Sequence, residues 1–219
     1  MNNTNNNKPR LKRTPSDQTT EDNIPPSSSL LINLLICATG SVAAIKIPDM
    51  IRQFNSMKIF KLRIVLTKGA QHFITKEQIH QVDNSIECFT DEDEWSMWSK
   101  RGDPVLHIEL RKWAQILLIA PLDCNTLAKI SNGICDNLVT CVARAWDLKN
   151  FPFVVAPAMN TLMHEHPFTA KQLSILELEL NVYTIQPICK LLACGDTGNG
   201  ALASVETIAN FVHSLIDFD

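Results

Sequence analysis

Three kinds of feature are missing from this sequence: a long apolar run, an excess of basic residues, and a cysteine pattern typical of zinc sites. The longest apolar stretches, 30–38 and 115–122, are far shorter than the roughly 20 residues that a membrane-spanning helix needs. The net charge of −3 argues against a general nucleic-acid binder, because a sequence-independent hold on phosphate backbones needs a basic surface. We therefore expect neither membrane insertion nor nucleic-acid binding.

The seven cysteines include no C-x-x-C pair and no Cys/His set at zinc-finger spacing, and no secretory signal comes before them. His164 and His166 flank Glu165 but do not have the H-E-x-x-H spacing of a zinc protease. We expect reduced thiols, a cytoplasmic location and no metal site.

Glycine is also scarce, with 7 residues in 219, and neither G-x-G-x-x-G nor a Walker loop is present. Classical dinucleotide and nucleoside triphosphate sites are therefore disfavoured, whereas a site for a mononucleotide phosphate remains open. Three of the seven glycines fall in 193–202, beside Cys194. That segment is either a flexible connection or a lid that carries a thiol over a substrate.

The composition that is present, 45% hydrophobic and 20% charged, suffices for one sizeable core. Residues 1–29 are rich in Asn, Thr, Ser and Pro and are predicted to be a disordered tail, whose basic cluster is either a docking signal or simply solvated. Residues 30–219 are predicted to form a single domain.

Within that domain, apolar runs of strand length alternate with longer stretches of helical period. The predicted strands are 31–38, 62–66, 115–121, 153–157 and 182–185, and the predicted helices are 42–55, 125–130, 136–146, 167–180 and 205–216. Ser41, Asp136 and Ser204 are the expected helix caps. This order predicts an α/β fold: a doubly wound, Rossmann-like or flavodoxin-like domain with a mostly parallel sheet.

Ligands of such a sheet bind beyond the carboxyl ends of the strands, so the residues that follow each strand are the candidates. Gly40 and Ser41 follow the first strand and would let an anion approach the start of a helix, although a tight turn needs glycine in any case. A later strand is followed by Asp123, Asn125 and Thr126. These residues would either bind a ligand or only cap a helix. Asn160 follows the next strand, in a turn that suits carboxylate recognition or is structural.

His107 lies among aliphatic residues just before a probable short helix, where a histidine is either a base or a satisfied structural residue. Trp95 and Trp98 follow an acidic stretch that begins at Asp91, and we expect them to pack a long loop rather than to stack on a ligand. Spacing alone does not decide the role of any of these residues.

Six ordered segments together resemble one family, the homo-oligomeric flavin-containing cysteine decarboxylases. The resemblance covers residues 31–218. The segments are Thr39-Gly40-Ser41-Val42-Ala43-Ala44, Asp103-Pro104-Val105-Leu106-His107-Ile108, Ala120-Pro121-Leu122 with Asn125-Thr126-Leu127, Gly133-Ile134-Cys135-Asp136-Asn137-Leu138, Pro157-Ala158-Met159-Asn160 and Ala193-Cys194-Gly195-Asp196.

The resemblance implies a bound FMN, an active-site base at His107, a proton donor at Cys194 and recognition of the substrate carboxylate by Asn160. The FMN-binding residues that it implies are Gly40, Ser41, Val42, Thr67, Leu122, Asp123, Cys124, Asn125, Thr126 and Ala158. The substrate-binding residues that it implies, besides Asn160, are Lys190, Ala193 and Leu202. It also implies a homotrimer with active sites shared between subunits.

The reaction that the resemblance implies is decarboxylation of 4'-phosphopantothenoylcysteine to 4'-phosphopantetheine and CO₂ in coenzyme A biosynthesis. Oxidation of the sulfur-bearing carbon to a thioaldehyde gives a sink for the electron pair that CO₂ leaves behind. His107 would help to remove a proton in the first step. Cys194 would donate a proton in the last.

Two relatives of other function remain as alternatives. One is an inhibitory subunit of a protein phosphatase, which the short basic N-terminal extension and the absence of an acidic C-terminal tail disfavour. The other is decarboxylation of a peptide's C-terminal cysteine. The sequence departs from the family's usual residues at Lys112, His164 and Leu191, and Lys112 lacks the planar fork of an arginine.

Overall fold

The strands of the central sheet are apolar along almost their whole length, and such strands need helices on both faces. In the computed structural model, which describes residues 8–13, 31–191 and 197–218, six parallel strands have this arrangement. Their order is β4-β3-β2-β5-β6-β7. These strands are β2 (Ile32–Ala38), β3 (Phe60–Leu66), β4 (Glu87–Phe89), β5 (Ile116–Leu122), β6 (Phe153–Pro157) and β7 (Tyr183–Thr184).

The helices are α1 (Ile47–Met57), α2 (Lys76–Val82), α3 (Asp91–Ser96), α4 (Leu106–Trp113), α5 (Cys124–Ser131), α6 (Leu138–Arg144), α7 (Thr161–His164), α8 (Pro167–Leu178) and α9 (Val205–Ser214). A 3₁₀ helix, Val42–Lys46, precedes α1. Outside the main sheet, β8 (Ile188–Leu191) pairs with β9 (Thr197–Ala201) as an antiparallel hairpin. A third sheet pairs β1 (Leu11–Arg13) with β10 (Ile216–Phe218).

Two hydrophobic cores lie on opposite faces of the sheet because successive residues of a strand point to opposite sides. In β2, Leu34 and Ile36 join the core under α1, α2 and α9. Leu35 and Cys37 of the same strand join the core under α4, α5, α6 and α8. The structure thus confirms the predicted doubly wound α/β fold, and all five predicted strands are present within two residues of the expected bounds.

The helix caps are confirmed at Ser41 and Ser204, whose side chains accept hydrogen bonds from the first turns that follow. The prediction of a cap at Asp136 was wrong. Asn137 caps α6 instead, because Thr140 stands at the position where a capping box can close with it. Asp136 forms an ion pair with Lys129 at 2.8 Å.

Residues 8–13 are ordered, contrary to the prediction of a disordered tail. Leu11 is 7% exposed and joins the core on the α1 face. Arg10 Nε lies 2.9 Å from Asp217 Oδ1, next to the strand pair. One buried leucine and an ion pair with the last strand account for the ordering of this segment. Residues 1–7 and 14–30 lie outside the described residues.

No helix among residues 8–13, 31–191 and 197–218 combines the length and the apolar character that crossing a membrane requires.

Candidate active site

Three turns meet at the carboxyl edge of the sheet, and a buried threonine joins two of them. Thr39 Oγ1 donates a hydrogen bond to the carbonyl of Pro121 at 2.8 Å and accepts one from the amide of Asp123 at 2.7 Å. The Ala120–Pro121 peptide is cis. One side chain therefore fixes the end of β2 against the end of β5.

The turns after β2 and β3 approach each other so closely that only glycine fits. A Cβ on Gly69 would lie 2.9 Å from the Cα of Gly40, and a Cβ on Gly40 would lie 2.8 Å from Asp123 Oδ2. Thr67 supports this approach, since its amide donates to the carbonyl of Ala38 at 3.1 Å. We call Gly40, Gly69 and Asp123 the glycine edge.

Helical turns start beside the glycine edge and direct backbone amides toward it. Asp123 caps α5, with Oδ1 accepting from the amide of Thr126 at 2.6 Å, and Ser41 caps the 3₁₀ helix. The first amides of a helix have no acceptor within the helix, and the positive end of the helix dipole lies there. This edge can therefore hold an anionic group such as a phosphate.

The predicted cofactor residues differ in accessibility. Gly40, Val42 and Asn125 are exposed, whereas Ser41, Asp123 and Cys124 are half-buried. Thr67, Leu122, Thr126 and Ala158 are buried, and the amide of Ala158 donates to the carbonyl of Leu122 at 2.9 Å. The four buried residues form the floor of the glycine edge, and the other six residues form its accessible surface.

His107 lies in the first turn of α4, and Nδ1 contacts the Glu94 Oε1 of α3. The His107 side chain is 26% exposed and the Glu94 side chain 12%. A carboxylate only accepts hydrogen bonds, so a neutral His107 places its proton on Nδ1 and its lone pair on Nε2. Because α4 precedes β5 and runs opposite to it, the start of α4 lies at the carboxyl edge of the sheet.

Cys141 of α6 completes what we call the His107 cluster: Glu94, His107 and Cys141. Cys141 Sγ lies 3.4 Å from the carbonyl of Cys135. Burial, together with nearby acidic groups, raises the pKa of the Cys141 thiol to about 11. The sequence pattern does not point to Glu94 or Cys141, because no spacing rule connects the two residues to His107.

Asn160 caps the short helix α7, its Oδ1 accepting from the amide of Leu162 at 2.9 Å. The β8–β9 hairpin packs on this turn. The amide of Met159 donates to the carbonyl of Gly200 at 2.9 Å, and a Cβ on Gly200 would collide with the Met159 carbonyl. Asn160 is thus part of a firmly packed turn, with its side-chain amide oriented by the capping bond.

The segment around Cys194 was read as either a flexible connection or a lid. The structure shows that strands of a hairpin flank it, with Lys190 in β8 and half-buried Leu202 just after β9. Ala193 and Cys194 themselves lie outside the described residues.

Trp95 and Trp98 do not pack a loop as expected. They are 79% and 52% exposed, whereas Asp91 and Glu94 of α3 make polar contacts with α6 and α4. Two large exposed aromatic side chains therefore lie beside the His107 cluster.

Comparison with known proteins identifies several relatives. Over 179 residues the chain is 52% identical to phosphopantothenoylcysteine decarboxylase of Arabidopsis thaliana, covering 82% of each protein. A cysteine-to-serine mutant of PPC decarboxylase, solved in complex with pantothenoylaminoethenethiol, superimposes with a TM-score of 0.78 at 50% identity. That match covers 84% of this chain and 97% of the solved one.

A second solved structure is described as the FMN binding protein AtHal3. It matches with a TM-score of 0.75 at 50% identity, over 84% of this chain and 95% of that one. The Flavoprotein family model matches residues 23–217, which include the glycine edge, the His107 cluster and Asn160. This chain therefore belongs to the Flavoprotein family.

Proposed function

We propose that this chain is an FMN-dependent decarboxylase that converts 4'-phosphopantothenoylcysteine to 4'-phosphopantetheine and CO₂. The observation that carries the proposal is His107, a histidine held by the partly buried carboxylate of Glu94 at the carboxyl edge of the sheet. The identity of 52% to a phosphopantothenoylcysteine decarboxylase supports the choice of substrate.

The glycine edge fits a flavin mononucleotide. The backbones of Gly40 and Gly69 lie so close that a Cβ on Gly69 would not fit, and two helical turns begin beside them. The segment Gly40–Val42 would hold the phosphate of FMN. Asp123–Asn125 would line the space next to that phosphate, and Thr67 and Ala158 would form part of the floor. When bound, FMN would supply a two-electron acceptor for the sulfur-bearing carbon of the substrate.

His107 is the base in this proposal. Glu94 holds a proton at Nδ1, so Nε2 presents a lone pair that can accept a proton from the substrate. When Nε2 takes that proton, the imidazolium lies against the carboxylate of Glu94, which stabilises the positive charge. Glu94 is therefore a positioning residue that acts through His107.

Asn160 would recognise the carboxylate of the cysteine moiety through the donor hydrogens of its amide. Cys194 would return the last proton, and Lys190, Ala193 and Leu202 would contact the rest of the substrate. The turn that carries Asn160 lies next to the floor of the glycine edge, because the amide of Ala158 donates to the carbonyl of Leu122 at 2.9 Å.

We also propose a homotrimer in which neighbouring subunits share the active sites. Exposed apolar side chains support it, since an exposed apolar patch beside a functional site marks an interface. Val42 and Ile45 lie next to the glycine edge, and Leu162, Met163 and Phe168 lie next to Asn160. The free cysteines in the described part of the chain support a cytoplasmic location.

The test is incubation of the purified, flavin-loaded protein with 4'-phosphopantothenoylcysteine, with phosphopantetheine and CO₂ followed by mass spectrometry. We expect product from the wild type, at least a hundredfold less from His107→Asn, and an oxidised intermediate from Cys194→Ser. His72→Asn is the matched control, because His72 is exposed and lies on the 3₁₀ turn after β3.

If the wild type binds FMN and converts nothing, the decarboxylase proposal fails and a role as a phosphatase-binding subunit becomes the better one. If His107→Asn and His72→Asn retain equal turnover, the decarboxylase survives but His107 is not its base.

A further inference from the structure

The His107 cluster brings together three chemically different metal ligands. Glu94 comes from α3, His107 from α4 and Cys141 from α6, and one ligand atom of each lies within 4.8 Å of the other two. All three side chains are partly buried. Three helices that pack on one another therefore preorganise a carboxylate, an imidazole and a thiol around one point.

This donor set matches the preferences of one class of cation. Mg²⁺ and Ca²⁺ favour oxygen ligands alone, whereas Zn²⁺ binds thiolate, imidazole and carboxylate in tetrahedral geometry. We propose that Glu94, His107 and Cys141 form a binding site for a single Zn²⁺ ion, with the fourth position taken by water. No metal site is expected from the sequence, because these ligands have no zinc spacing in the chain.

Acidic groups lie near the proposed site. Burial is the largest cause that raises the pKa of the Cys141 thiol, and the negative charges of Glu94, Asp136 and Asp91 raise it further. Burial and neighbouring acidic groups raise the pKa of the Asp91 carboxyl as well. A divalent cation would reverse this effect at the thiol, because a coordinating metal favours loss of the thiol proton.

Binding requires a small rearrangement. His107 Nδ1 and Glu94 Oε1 are in direct contact, whereas two ligand atoms about 2.0 Å from a tetrahedral zinc lie about 3.3 Å apart. The Glu94 side chain must swing outward by roughly 1 Å to admit the ion. The Cys141 thiol gives its proton to solvent, and the bound set of one carboxylate, one thiolate and Zn²⁺ is then neutral.

The consequence for catalysis rests on the proposed function. Zn²⁺ on Nδ1 leaves the proton of the neutral imidazole on Nε2, and a protonated Nε2 cannot accept a proton from the substrate. Zinc would thus inhibit the decarboxylase reversibly by removing its base, without displacing FMN. Cys141 would serve only the metal and has no part in the reaction.

The first arm of the test measures binding alone. Purified flavin-loaded protein, kept reduced with a phosphine, is titrated with Zn²⁺ against a chromophoric chelator, and X-ray absorption at the zinc edge counts the sulfur ligands. We expect one Zn²⁺ per chain with one sulfur ligand. Cys141→Ser should weaken binding at least about tenfold, whereas Cys135→Ser, which changes an exposed cysteine nearby, should not.

The second arm measures turnover. Zn²⁺ should inhibit the wild type and Cys135→Ser alike, a chelator should restore both, and Cys141→Ser should keep its basal turnover while needing at least tenfold more Zn²⁺ for inhibition. Equal zinc affinity in Cys141→Ser and wild type, or loss of the ion in Cys194→Ser instead, would overturn the proposal. If no variant turns over substrate, the decarboxylase proposal fails, and the binding arm still decides the zinc site.

Discussion

The glycine edge and the His107 cluster are built in opposite ways. At the glycine edge, the backbones of two turns touch, and a side chain on Gly40 or Gly69 would occupy the space that they leave. In the His107 cluster, three helices present side chains to one another, and the ligand atoms rather than the backbone define the site. The glycine edge depends on the absence of side chains at two positions, and the His107 cluster depends on the chemical groups of three side chains.

The two constructions differ in what a substitution can damage. A new methyl group on Gly69 would meet the backbone of Gly40, which cannot rotate away, so stability and flavin binding should fall together. An isosteric change at Glu94 or His107 keeps the packing and removes only a charge or a base, so chemistry should fall while the fold remains. Substitutions that separate these two responses test the comparison.

The largest effect is expected from Gly69→Ala. Its new Cβ would lie 2.9 Å from the Cα of Gly40, a backbone atom that cannot rotate away. Overpacking of this kind should lower the free energy of unfolding by about 3 kcal/mol and reduce bound flavin. Urea denaturation and the flavin absorbance of the purified protein measure the two losses.

Gly102→Ala is its control, since a Cβ there meets no atom within 4 Å and only the positive φ of 104° opposes it. This control substitution should lower the free energy of unfolding by about 1 kcal/mol and leave the flavin content unchanged. Equal flavin content in both variants would show that the close approach of the turns does not matter for the cofactor.

Glu94→Gln should lower kcat about a hundredfold, which corresponds to roughly 2.7 kcal/mol in the barrier. Glutamine can still accept a hydrogen bond from Nδ1, but it cannot stabilise the imidazolium. Flavin content and the free energy of unfolding should stay near the wild-type values. Glu92→Gln, on the exposed side of the same helix, is the control, and an equal kcat in the two variants would refute the positioning role of Glu94.

Thr39→Val should cost about 2 kcal/mol of stability, because the buried amide of Asp123 loses the Oγ1 acceptor that now lies at 2.7 Å. Thr39→Ser keeps the hydroxyl and should recover at least half of that loss. Guanidinium denaturation of both variants provides the measurement. If Thr39→Ser destabilises the protein while Thr39→Val, which keeps the methyl group, does not, packing of that methyl group and not the hydrogen bond joins the two turns.

The smallest effect is expected far from both sites, at Asp83. The hydroxyl and amide of Ser85 donate to its carboxylate at 2.6 and 3.0 Å and hold the pKa of Asp83 below its usual range. A folded-state pKa below the unfolded value of about 3.9 adds stability above that pH, and the gain disappears as the pH falls through the folded-state pKa.

Asp83→Asn should therefore cost about 0.5 kcal/mol at pH 7, since solvent screens this partly exposed group, and nothing at pH 2. Thermal unfolding at the two pH values gives the comparison, with catalysis expected to be unchanged at neutral pH. A larger loss at pH 2 than at pH 7 would contradict the assignment.

The sequence predicted the fold well because the fold depends on local pattern, and long apolar strands such as 115–121 can only be buried. It marked Gly40 and Ser41 as a candidate anion-binding turn but not Gly69, because the close approach of the two turns joins residues far apart in the chain. The short elements α2, β4 and α3 were missed, because their sequences are polar and their order comes from packing against the rest of the domain. The strand at Leu11 was missed for the same reason, since its partner is at the other end of the chain.

What the sequence alone determined is the layered architecture, because hydrophobic period acts over a few residues, whereas a role for His107 is implied only by the family resemblance. Only the tertiary structure decided which groups surround that histidine. Glu94 and Cys141 reach it from two other helices, and a contact between side chains far apart in the chain depends on how those helices pack. The partners that set the chemistry of His107 are therefore a property of the fold, although the histidine itself is evident in the sequence.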